Sequence, residues 1–233
     1  MYLKFILFLT ACFLFLGCSE KTTDVKGKNL PPYADLLASV EKQRLEFQKA
    51  YTTSGEDARR TIEEKAQSYL LEKITGDFFD QWYGTAWDFN GTTRIPRQGK
   101  IACGYFITTV LSYAGFQIPR VKWAQQASEY YITRMTPEVK RFSNKSAGYM
   151  VDYFLGQADG RYIVGLDNHV GFVFKSGDEV TFTHASYYQP ETGVQTEQLT
   201  GNNPFSKSAY RVVGRILNQE MIRKWILGES WEH

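Results

Sequence analysis

The chain has 233 residues, with 43% hydrophobic, 15% aromatic and 22% charged side chains and a formal net charge of +2. That length supports one domain with a real core, and the composition excludes wholesale disorder, collagen and coiled coil. A near-neutral balance lacks the concentrated basic face that nucleic-acid binding needs, so no nucleic-acid partner is expected. Three cysteines and three histidines are few enough to place one by one.

Residues 1–17 read as a removable leader. Lys4 supplies a short charged start, and an apolar run follows from Phe5 to Leu16. The run is too short for a membrane span, which needs roughly 20 residues, and it suits a secretory segment. It ends in Leu16-Gly17-Cys18-Ser19-Glu20, which resembles a bacterial lipoprotein cleavage box. An ordinary signal peptide or short anchor with Cys18 incidental is the competing reading. The Gly-Cys pair at the end of the apolar run, with polar sequence directly after it, favours lipidation of Cys18 and a membrane anchor through its acyl chains. Cys12 then leaves with the leader and Cys18 carries lipid. Cys103 is left as the free thiol of an exported chain, without a partner for a disulfide.

Residues 18–33, with Gly27, Pro31 and Pro32, read as a tether. Residues 34–75 form a helical annex. Leu36, Val40, Phe47 and Tyr51 recur at helical spacing, as do Ile62, Ala66, Tyr69 and Leu70. Ser54 and Asp57 suggest a capping box, and Gly76 a stop. Residues 76–233 form the main domain. A helix is expected at about 102–114, with Phe106, Ile107, Val110, Leu111 and Ala114 as its apolar stripe and Gly115 as its end. Another is expected at 147–155. The period then becomes strand-like at 161–166, 170–174, 180–188 and 211–217, with Ser176-Gly177-Asp178 as a hairpin turn. A last helix runs over about 219–227, capped by Asn218 and stopped by Gly228. Helices first and antiparallel strands later make an α+β fold.

Cys103 falls at the start of the 102–114 helix, where unpaired amides and the helix dipole favour a thiolate and lower its pKa toward neutrality. The same amides suit an oxyanion. His169 and His184 lie on adjacent strands of a hairpin, which brings such residues side by side if the register allows. One imidazole then takes the thiol proton and the second orients the first. His233 is the terminal residue. An inert core cysteine, a structural histidine pair and a Cys/His/His zinc site are the competing readings. No C-x-x-C or H-E-x-x-H supports the zinc site. Arg94, Arg97 and Lys100 are equally readable as contacts for substrate carboxylates or as a solvated loop. Among Trp82, Trp87, Phe89 and Trp123, large aromatics that usually build cores, Trp87 is the candidate to face substrate.

These residues carry a family resemblance over roughly 76–190. Tyr83-Gly84-Thr85-Ala86-Trp87-Asp88-Phe89-Asn90-Gly91, Ala102-Cys103-Gly104-Tyr105-Phe106, His169-Val170-Gly171-Phe172-Val173 and Thr183-His184-Ala185-Ser186 resemble, in order, the signature blocks of NlpC-type cell-wall cysteine peptidases. The resemblance implies a papain-like fold, with the nucleophile helix packed on an antiparallel sheet. It implies Cys103 as nucleophile, His169 as base and His184 as third member, with Trp87 and Gly104 beside substrate. Ala102 and Gly104 stand where the family usually has Asp and Ser, side chains that hold the substrate's amine. Trp87 replaces a tyrosine.

The expectation is a lipid-anchored cysteine peptidase or amidase acting on peptidoglycan stem peptides, exported to the cell envelope. Ser19 suggests the outer membrane, facing the periplasm, by resemblance. The chemistry requires no cofactor and no metal. An acyltransferase or transpeptidase on the same scaffold and a non-catalytic wall-binding lipoprotein are the alternatives, and the oligomeric state is left open.

Overall fold

The computed structural model describes residues 30–231; the leader, Cys18, most of the tether and His233 lie outside them. None of the described helices is long and apolar enough to cross a membrane. The fold is α+β, built on a six-stranded sheet in the order β1-β6-β2-β3-β4-β5, with every pairing antiparallel.

Two long helices open the chain. α1 (Tyr33–Thr53) buries Leu36, Val40, Arg44 and Tyr51, and α2 (Glu56–Glu72) buries Glu63, Ala66 and Leu70. The capping box expected at Ser54 does not form. Ser54 ends α1, and Gly55 precedes α2 with no side-chain cap. Nor does the second helix stop at Gly76. It continues as a π-helical segment (Lys73–Phe78) into α3 (Phe79–Trp82). Ile74, Phe78, Phe79 and Trp82 are all buried along this extension. Burying that many large side chains outweighs the roughly 1 kcal/mol that a mid-helix glycine costs.

α4 (Cys103–Tyr113) is buried on nearly every side, from Tyr105 to Leu111. It lies between the sheet and the N-terminal helices, and its Phe106 contacts Trp82, Phe79 and Phe172. Helices α5 (Arg120–Ala124) and α6 (Ser128–Met135) follow, then β1 (Val139–Ser143) and α7 (Ala147–Leu155). The remaining elements are β2 (Gly160–Leu166), β3 (Val170–Ser176), β4 (Glu179–Ala185), β5 (Val194–Gln198), α8 (Pro204–Lys207), β6 (Tyr210–Ile216) and α9 (Gln219–Leu227). The α9 boundaries follow the local signals. Asn218 accepts a hydrogen bond from the Met221 amide, and Gly228 ends the helix at φ +69°.

Each face of the sheet has its own core. Ile163, Val170, Phe172, Ala185 and Val212 join the core shared with α1–α4 and α9. Val164, Val173, Phe182 and Val213 join the other, with Met150 and Phe154 of α7 and Phe205 of α8. The 34–75 helices thus belong to the same core as α4. Strands β1 and β5 escape sequence reading because they are the sheet edges, and their Lys140, Arg141, Gln195 and Glu197 break the apolar pattern. β4 ends at Ala185 rather than running on to Tyr188.

Candidate active site

Cys103 opens α4. Its preceding residue, Ala102, offers no side-chain cap, so no capping side chain occupies the first-turn amides. The entry to the helix is fixed by backbone: the Ala102 amide donates to the Gly91 carbonyl at 2.8 Å, and the Ile101 amide to that of Ala86 at 2.9 Å. Gly104 sits against α5 so closely that a Cβ there would lie 2.6 Å from the Ala124 carbonyl oxygen. The amides of Gly104, Val170 and Cys103 itself all lower the thiol pKa, but burial is the larger influence and pushes it above its ordinary value. This corrects the expected shift toward neutrality. The helix start does favour the thiolate, and desolvation costs more.

His169 ends the tight connection between β2 and β3, where the Leu166 amide donates to its carbonyl at 2.8 Å. Asp167 pins this turn to the next segment by accepting from the Ala209 and Tyr210 amides. His184 lies on β4, whose register with β3 pairs Phe172 with Thr183 and so sets His184 beside Gly171. The two rings meet edge to face, and His169 Nε2 is 2.8 Å from His184 Nδ1. The histidine pair expected from the hairpin therefore forms.

A third member closes the chain. His184 Nε2 is 2.6 Å from Glu197 Oε2, on edge strand β5. Sequence reading missed Glu197, because β5 was not recognised and without its register nothing links the carboxylate to position 184. Burial holds His169 well below the usual imidazole range, takes His184 down to about 3 and takes Glu197 up to about 7.

Proton positions then follow from counting. An ionised Glu197 only accepts, so His184 Nε2–H donates to it and His184 Nδ1 carries a lone pair. His169 Nε2–H donates to that lone pair, leaving His169 Nδ1 bare. Among the described residues this buried Nδ1 has no hydrogen-bond partner. A protonated Glu197 reverses each step and places a proton on His169 Nδ1.

A cavity of about 470 Å³ opens at this end of the sheet, lined in part by Cys103, Gly104, Tyr131, Asn168, His169 and Tyr210. Thiol and imidazole share it without a direct hydrogen bond; the Val170 amide, one residue beyond His169, bonds to the sulfur. Trp87 does not line the cavity. It stands one ring removed, 5.8 Å from Tyr187, whose own ring is 5.2 Å from His169. Trp82 and Trp123 are core, Phe89 is exposed, and none of Arg94, Arg97 and Lys100 lines the cavity. Arg97 instead spends its Nε–H on the Gln81 carbonyl. Among the described residues no group of three His, Cys, Asp or Glu side chains is arranged to hold a metal ion.

Comparison with family models, with curated proteins and with solved structures found no match to this chain.

Proposed function

We propose that the protein is a lipid-anchored cysteine peptidase or amidase of papain-like architecture that cleaves amide bonds in peptidoglycan stem peptides. The observation that carries this reading is the Glu197–His184–His169 chain. It ends in a bare, buried imidazole nitrogen of His169, a residue that lines the same cavity as Cys103. A structural pair would have no reason to leave that nitrogen unpaired, since a buried polar atom without a partner is costly.

In the reaction, His169 Nδ1 takes the thiol proton as Cys103 Sγ attacks the amide carbon. The first-turn amides of α4 donate to the developing oxyanion. The proton passes from His169 to the leaving amine, the C–N bond breaks, and a thioester remains. His169 then activates water to release the acid. Because burial disfavours both thiolate and imidazolium in the resting site, proton transfer accompanies attack rather than preceding it. The substrate class comes from the resemblance of the four sequence blocks, and the anchor from the Gly17-Cys18 box.

The test is incubation of the full-length chain with purified sacculi and mass analysis of the released fragments. New amino termini that vanish in Cys103→Ala and His169→Ala are the expected result. Transfer of the acyl group to an added amine, in place of hydrolysis, would establish the acyltransferase instead. Sacculi left intact by the wild type overturn the reading.

A further inference from the structure

The cavity holds a second unpartnered group. Tyr131, on α6, is fully buried and lines the cavity with Cys103 and His169, and its hydroxyl has no hydrogen-bond partner among the described residues. The other polar groups on the wall differ from it. Gln126 and Asn168 are exposed, Ser128 is half-buried, and the Tyr210 hydroxyl is spent on Glu129 at 2.9 Å. The Tyr131 ring is also fixed. It stacks on Trp123 at 6.0 Å between centroids and 11° between planes. A fixed, buried donor without an acceptor costs stability that phenylalanine, of nearly the same shape, would not.

We propose that Tyr131 is a further catalytic residue, whose hydroxyl donates a hydrogen bond to the substrate carbonyl oxygen as Cys103 attacks. This rests on the reading of Cys103 as an acyl-accepting nucleophile. In the step, a bond forms between Cys103 Sγ and the carbonyl carbon while the carbonyl π pair moves onto oxygen. The thiol proton goes to His169 Nδ1. Tyr131 keeps its own proton throughout and only donates; burial and the neighbouring thiol charge both hold the phenol well above its ordinary pKa. Collapse of the oxyanion restores the carbonyl, breaks the bond to the leaving group and sends the proton out with it. The amides at the start of α4 approach the oxygen from the helix side, and Tyr131 supplies a donor from α6.

Two reactions of one sulfur separate this role from a structural one. Acylation by p-nitrophenyl acetate passes through an oxyanion, and alkylation by iodoacetamide does not. Tyr131→Phe is expected to slow acylation of Cys103 by about 100- to 1000-fold, the usual cost of one oxyanion donor. Alkylation and thermal stability are expected to stay unchanged or improve. Equal effects on both reactions, or none on acylation, overturn the proposal. A wild-type ratio of acylation to alkylation no higher than that of a free model thiol overturns it too. Loss of sacculus cleavage with acylation of Cys103 retained would instead reject the wall-peptide substrate and leave the Tyr131 assignment standing.

Discussion

The ring of Phe182 fills the space that a side chain on Gly171 would need: a Cβ at position 171 would lie 2.2 Å from the ring. That ring in turn stacks on His184 at 4.4 Å and 23°, so the missing side chain on β3 is what seats the second imidazole.

Gly171→Ala forces Phe182, and His184 with it, to move. The expected cost is about 1–3 kcal/mol of stability, the usual penalty of overpacking, together with loss of activity well beyond what that destabilisation explains. Denaturant midpoints and turnover measured on the same samples check this. A variant of wild-type activity would show that the His184 position does not matter.

Gly104 makes a parallel case on the other side of the cavity. The proposed resemblance would put serine here, yet Gly104→Ser would press a Cβ to 2.6 Å from the Ala124 carbonyl oxygen. It is expected to destabilise the chain by about 1–3 kcal/mol and to lower activity. A stable, more active variant would mean that α5 yields easily, contrary to the packing.

Glu197 ties activity to pH. Its carboxyl is raised to about 7 by burial, and only its ionised form leaves His169 Nδ1 free to accept a proton. Turnover is expected to rise with pH through about 7, and Glu197→Gln is expected to lose that inflection while keeping a folded site. A persistent inflection in the variant assigns the titration elsewhere.

The same groups set the acid stability. The neutral imidazoles contribute stability that is present above their unfolded value near 6.5 and is lost as pH falls, for His184 down to about 3. Glu197 opposes them. Its contribution is present below its unfolded value near 4.5 and is lost as pH rises through about 7. Between about 4.5 and 6.5 two imidazoles outweigh one carboxyl, so acidification destabilises the fold. Glu197→Gln removes the opposing group and should steepen the loss by about 1.4 kcal/mol per pH unit. Parallel stability curves would contradict the shifts.

Burial around Cys103 predicts a thiol that is sluggish toward alkylation. At pH 7 iodoacetamide should modify Cys103 more slowly than a model thiol, with the rate climbing past the ordinary thiol value of 9.0. A fast reaction at neutral pH would show that the helix start, and not desolvation, governs the sulfur.

Local chemistry made much of this legible in advance. The boundaries of α4, α7 and α9, the hairpin of β3 and β4 and the pairing of His169 with His184 follow from periodicity, capping residues and alternation, which a short window of sequence contains. The path of the helix through Gly76 was not legible, because a glycine reads as a stop until the three buried side chains beyond it, Phe78, Phe79 and Trp82, find their core. Edge strands β1 and β5 were hidden by their own polar residues, and Glu197 was hidden with them.

By itself the sequence determined that one thiol and two imidazoles sit at the ends of elements able to meet, and that the chain folds as helices followed by an antiparallel sheet. The tertiary structure alone decided the hydrogen-bond chain through His169, His184 and Glu197 and the burial of its members. It set a carboxylate behind the imidazoles and a phenol on the wall of the cavity that the sulfur shares. These depend on residues far apart in the chain, and on how much water the finished core excludes, which no local pattern encodes.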